Sequence, residues 1–126
     1  MSYNTTEIAN CGQVLILPVA AATKIEQGSL VALSGGYAIP AKKAASLIAV
    51  GRAETFAENQ GAAGEEFVEV KRGAFLWDND GTIKETHIMS NCYIVDDHTV
   101  TATATGSSVA GKVLMVTNEG VAVETY

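Results

Sequence analysis

A chain of 126 residues has the size of one domain, and its net charge of −6 at pH 7 sets an acidic surface against phosphate backbones, which argues against a nucleic-acid partner. Hydrophobic residues make up 48% and charged residues 17%, which excludes disorder along the whole chain; with only 6% aromatics the apolar content rests on Ala and Val and suits thin, closely packed sheets. The longest apolar runs, such as Val14–Leu17 and Ser46–Val50, are far shorter than the roughly 20 residues of a membrane helix, so no membrane partner is expected.

Residues 1–12 are polar and without period, and they show no basic segment followed by an apolar one of the kind that directs secretion. They read as a flexible N-terminal arm ahead of a domain over residues 13–126. Gln13–Leu17 reads as an apolar strand edged by Pro18, and Val19–Lys24 as extended chain. Gln27–Gly28 is a turn before a strand over Ser29–Leu33. Ser34-Gly35-Gly36 is a hairpin signal, because glycine reaches the positive φ of tight turns, and Tyr37–Pro40 is the return strand.

Ala41–Ser46 is too short for a stable helix and reads as a loop or single turn. Leu47–Ala53 reads as a buried strand in which Gly51 permits a bulge or a close approach. Thr55–Glu65, rich in Ala, Gly and Glu without period, reads as a mobile loop. Glu66–Arg72 alternates, with Phe67, Val68 and Val70 set against Glu66, Glu69 and Lys71; Gly73 interrupts it and Ala74–Trp77 resumes. Asp78-Asn79-Asp80-Gly81 has the composition of a hairpin turn, and one helical turn is expected near Glu85–Met89.

Cys92–Val95 reads as a strand, Asp96–Asp97 as a turn, and His98–Thr105 as a half-buried strand of alternating Thr with Val or Ala. After a Gly106–Ala110 loop, Gly111–Thr117 and Val121–Glu124 make a final hairpin around Asn118–Gly120. Eight to ten short strands with Gly-rich turns predict an all-β fold, a single small barrel or sandwich with at most one or two short helical turns.

Candidate chemistry is sparse. An EF-hand with Gly81 at loop position six would need an acidic residue at Leu76 and a glutamate at His87, so Asp78–Gly81 does not fit a calcium loop. Asp96, Asp97 and His98 suggest a metal or acid–base site, but neighbours on a strand point to opposite faces, and Asx-turn chemistry explains the two aspartates. His87 and His98 share no ligand spacing, and no Gly-x-Ser-x-Gly elbow is present. Cys11 and Cys92 fit two free thiols of a cytosolic product, with a single bridge as the alternative. Trp77, Phe75 and Tyr37 are core residues or interface anchors. No catalytic, cofactor-binding or metal-binding residue is therefore assigned, no cofactor is expected, and the protein is expected not to be an enzyme.

The order of several segments resembles the phage head decoration, or cement, proteins. That family's chains carry Cys-Tyr-Val-x-Asp-Asp, Thr-Val, Gly-Lys-Val and Gly-Val-x-Val-Glu in turn, matched here by Cys92–Asp97, Thr99–Val100, Gly111–Val113 and Gly120–Glu124. Upstream, Ile25–Leu33 with Gly35-Gly36 resembles the family's opening hairpin. Leu47–Glu54 resembles its Ala-Val-Gly-x-Ala strand, and Glu65–Gly73 its Gly-x-x-Val-x-Val-x-x-Gly segment. The stretches Thr55–Gly64 and Asp78–Met89 fit less well. The resemblance implies a small β-barrel on the outside of the virion head, commonly a homotrimer, made in the host cytoplasm and clamping subunits of the major capsid protein.

Two other classes remain open. One is a carbohydrate- or host-surface-binding β-sandwich. The other is a self-processing pyruvoyl decarboxylase, for which Gly28-Ser29 and Gly106-Ser107 are the possible cleavage points; the Tyr-x-Gly-Ser context of those enzymes is missing, since Glu26 and Gln27 precede Gly28.

Overall fold

The computed structural model describes residues 14–125, so the expected arm over residues 1–12 and Cys11 lie outside the described residues. Twelve strands follow in chain order: β1 (Val14–Pro18), β2 (Thr23–Ile25), β3 (Leu30–Ser34), β4 (Tyr37–Pro40), β5 (Ile48–Ala53), β6 (Ala57–Asn59), β7 (Phe67–Lys71), β8 (Gly73–Asn79), β9 (Asn91–Ile94), β10 (Thr99–Thr101), β11 (Val109–Thr117) and β12 (Gly120–Thr125). A single 3₁₀ turn, Glu85–His87, is the helical element among the described residues. The fold is all-β, as expected.

Strands β8 to β12 close into a five-stranded barrel in the order β10-β8-β12-β11-β9. The first half forms a five-stranded sheet, β1-β7-β5-β3-β4, and a two-stranded ribbon, β2-β6. A parallel bridge between Val19 and Ala38 brings the chain after β1 against β4, so the ends of that sheet curl toward each other.

The period of two along β3 serves both halves. Leu30 and Ala32 point into the barrel core with Trp77, Ile83, Cys92, Ile94, Val100 and Val113. Val31 points the other way, into a second core with Val19, Ile25, Val50, Val68 and Val70. β5 repeats the division, with Ala49 on the barrel side and Val50 and Ala53 on the other. Over Leu30–Ala32 and Ala49–Gly51 the two strands are buried on both faces, which is why they read as short apolar runs there, with Ser34 and Arg52 coming toward the strand ends.

Glycine acts at two points by different means. Gly35 and Gly36, at φ 58° and 90°, form the two-residue loop between paired Ser34 and Tyr37, the positive-φ geometry that suits a twisted hairpin. Gly51 acts by size: a side-chain carbon there would run into the Lys71 carbonyl of β7. The pairing of β3 with β5 shifts at the same place, between Val31 and Ala32, so a bulge and a close approach coincide.

Several expectations are corrected. The Thr55–Glu65 loop contains β6, which pairs with β2 from Ala57 to Asn59. Its inward residues are Ala57 and Asn59, too small and too polar to register as a hydrophobic alternation. Asn59 is buried because its amide donates to the carbonyls of Val19 (3.0 Å) and Ala62 (2.9 Å), which satisfies it without water. Phe67 does not share the buried face of Val68 and Val70; it stands outward, 56% exposed, opposite Pro18. The strand expected over His98–Thr105 pairs only over Thr99–Thr101. Beyond it, hydroxyls replace strand neighbours: Ala102 N–H donates to Thr82 Oγ1 (2.9 Å) and Thr103 N–H to Thr101 Oγ1 (3.2 Å). Asp78–Gly81 is not a hairpin turn, because β8 pairs in parallel with β10 and antiparallel with β12, and the loop leads instead to the 3₁₀ turn.

Candidate functional site

The turn after β9 was expected to keep Asp96, Asp97 and His98 apart, and the structure brings them together. They lie between strands rather than on one, so the alternation of a strand does not apply. Asp96 Oδ1 accepts the His98 N–H at 3.0 Å, an Asx turn that folds the imidazole back. His98 Nδ1 then lies 2.9 Å from Asp97 Oδ1 and 3.2 Å from Asp96 Oδ1. The hydrogen bond with Asp97 and the charge of Asp96 raise the pKa of His98 above its usual value; Asp78 adds to this, and the slight desolvation opposes it.

The main chain of this turn holds the two halves together. Asp97 C=O accepts from Leu30 N–H of β3 at 2.7 Å, and His98 C=O accepts from Asp78 N–H of β8 at 2.8 Å. A structural role therefore accounts for the turn. The three side chains face solvent, with His98 60% exposed.

The neighbouring loop is also explained by its own bonds. Asn79 Oδ1 accepts from Gly81 N–H (2.8 Å), while its amide donates to Ile83 C=O (2.9 Å). Asp80 Oδ1 accepts from Thr82 Oγ1 at 2.6 Å and Thr82 N–H at 3.0 Å. Partial burial of Asp80 pushes its pKa up, but hydrogen bonds from Thr82 and Thr101 outweigh it and hold the group below its ordinary value. His87 accepts from Lys84 N–H at 2.8 Å across the 3₁₀ turn, well apart in the chain from His98. Cys92 is a free thiol buried in the barrel core, and desolvation pushes its pKa up to about 12, the condition of an inert packing sulfur. Both serines of the Gly-Ser pairs are engaged: Ser29 Oγ donates to Glu26 C=O (2.7 Å), and Ser107 Oγ donates to Ile94 C=O.

Of the three aromatic candidates, Trp77 lies in the barrel core and Phe75 packs against it edge-to-face at 6.3 Å. The indole Nε1 of Trp77 has no hydrogen-bond partner among the described residues. Tyr37 is 39% exposed at the β3–β4 hairpin.

Among its charged residues the outer surface also carries large apolar side chains. Ile16, Ile48, Phe67, Leu76, Met89 and Met115 are each half or more exposed. Leu76, Ala122 and Met115 are cross-strand partners on β8, β12 and β11, so they form one row on the outside of the barrel. Sequence reading did not single this row out, although a signal was present. Asp78 stands two residues after Leu76 and so shares its face, and a solvated aspartate on that face places Leu76 outside too. Met115 was harder to place, because a bulge between Val113 and Met115 shifts the register.

No family model, no curated protein and no solved structure matches this chain.

Proposed function

We propose that this protein is a non-enzymatic virion component that binds the outer surface of a phage head and reinforces the lattice of its major capsid protein. The ordered segments from Ile25 to Glu124 that resemble the decoration proteins suggest this reading, and an all-β body with a closed barrel agrees with it. The observation that carries it is the set of large apolar side chains held outward on paired strands, Ile16, Phe67, Leu76 and Met115 among them. Sheet pairing fixes the backbone beneath these side chains, so docking costs side-chain rotamer entropy but no ordering of the main chain. Apolar patches of this kind mark interaction surfaces.

Reinforcement follows from multiplicity. Many copies on a symmetric lattice, each burying modest apolar area between subunits, raise the free energy needed to pull the shell apart. A homotrimer at a symmetric lattice position is the assembly this reading favours.

The test is to mix the purified protein with expanded, undecorated heads of the source phage and to measure bound copies and head melting temperature. Saturation at a fixed number of copies per capsomer with a raised melting temperature is the expected result. Intact heads that take up no protein would end the proposal.

A further inference from the structure

The outward faces of β8, β12 and β11 form three rows. The first joins Ala74, Glu124 and Lys112 by register. The second is the apolar row of Leu76, Ala122 and Met115, with Leu76 50% and Met115 53% exposed. At the third, Asp78 of β8 and Thr117 of β11 flank Gly120, beside a shallow depression of about 500 Å³ whose charged lining residues are Asp78 and Glu119. The two edges of the apolar row therefore differ. On one side, a glutamate and a lysine stand opposite each other. On the other, the depression carries two carboxylates and no cationic side chain. Past that edge Asp96 and Asp97 are paired with His98, which lies close enough for the Asp78 carboxylate to act on it.

We infer that this outer barrel face is the docking surface, and that it takes a protein surface presenting apolar side chains flanked by lysine or arginine. The inference rests on the head-binding reading above and names the face and the partner's chemistry. The charge asymmetry decides the occupant. A neutral apolar partner would leave the carboxylates beside the row desolvated and without counter-charge, whereas a basic flank compensates them and fixes the partner's orientation on the row.

Binding to undecorated heads is measured for the wild type, Leu76→Gln with Met115→Gln, Asp78→Lys with Glu119→Lys, and Ile48→Gln as a control at another exposed apolar position, 64% exposed. All these side chains face outward, and a thermal melt of each variant verifies its fold. The expected result is at least a tenfold loss of affinity for both paired variants and less than a twofold change for Ile48→Gln. Added salt should weaken the wild type more than the Asp78→Lys, Glu119→Lys variant. If the wild type saturates heads and the paired variants bind equally well, the docking face is wrong while the head-binding function stands. A wild type that does not bind heads overturns both. Concentration-dependent dimers of the free protein that disappear in Leu76→Gln, Met115→Gln would assign the row to self-association and overturn the inference.

Discussion

The guanidinium of Arg52 lies 4.4 Å from the centroid of the Phe75 ring, a cation–π contact that reaches from β5 of the first sheet to β8 of the barrel. The same guanidinium pairs with Glu54 at 3.1 Å, which fixes its plane, and Phe75 in turn packs edge-on against Trp77. A half-buried carboxylate and cation and two aromatic rings thus run from the surface into the barrel core. Most of the cohesion between the halves comes from apolar burial around β3 and β5, and this chain of contacts is a second link beside it.

The link predicts a measurable coupling. In a double-mutant cycle of Arg52→Ala and Phe75→Leu, followed by denaturant unfolding, the interaction energy should be about 0.5–1 kcal/mol, the range for partly exposed cation–π pairs. Leucine keeps apolar bulk at position 75, so a cycle that closes to zero would mean that the ring is only a spacer.

Glycine at position 51 is required by a neighbour, and glycine at position 28 by its own backbone. The space around Gly28 is open but its φ is 89°, whereas at Gly51 a Cβ would collide with the Lys71 carbonyl. Gly51→Ala should therefore cost about 1–3 kcal/mol by overpacking and loosen the β5–β7 pairing. Gly51→Asn should be worse still. Gly28→Asn should cost under about 1 kcal/mol, because asparagine tolerates positive φ. Melting temperatures of the three variants decide it, and equal losses for Asn at both positions would contradict the distinction.

Stability should depend on pH through His98. Its folded pKa is raised, first by the Asp97 hydrogen bond and then by Asp96, above the unfolded value of 6.5. The contribution is therefore complete below pH 6.5 and is lost as pH rises through the folded value. His98→Gln should flatten this part of the melting-temperature profile. On the acid side Asp80 acts in the opposite sense. Its folded pKa lies below 3.8, so its contribution is complete above that pH and is lost as pH falls through the folded value. A wild-type profile with the same slope as His98→Gln across neutral pH would show that the imidazole adds nothing to the turn.

Local pattern carried much of this fold. The hairpin at Gly35–Gly36, the strand Tyr37–Pro40, the strands around Val68, Cys92 and Val121, and the short helical turn after Thr82 are each visible in a few residues of sequence. They depend on backbone rules and on side-chain alternation, which act over a span shorter than the element itself. β6 was illegible because its buried members are a small alanine and an asparagine, and a buried asparagine is recognisable only once the carbonyls of Val19 and Ala62 are in place around it. The convergence of Asp96, Asp97 and His98 was missed for a related reason: a period of two was applied where the chain turns.

Sequence alone therefore determined the class of the protein, all-β with an acidic surface, because composition and short-range alternation are properties of neighbouring residues. Tertiary structure decided how those strands are shared out: that β3 and β5 serve two cores at once, and that Leu76, Ala122 and Met115 from three strands make one exposed row beside an acidic edge. The reason is that pairing register and the bulge at Val113–Met115 depend on strands distant in the chain, and only their meeting settles which apolar residues are buried and which are left to face a partner.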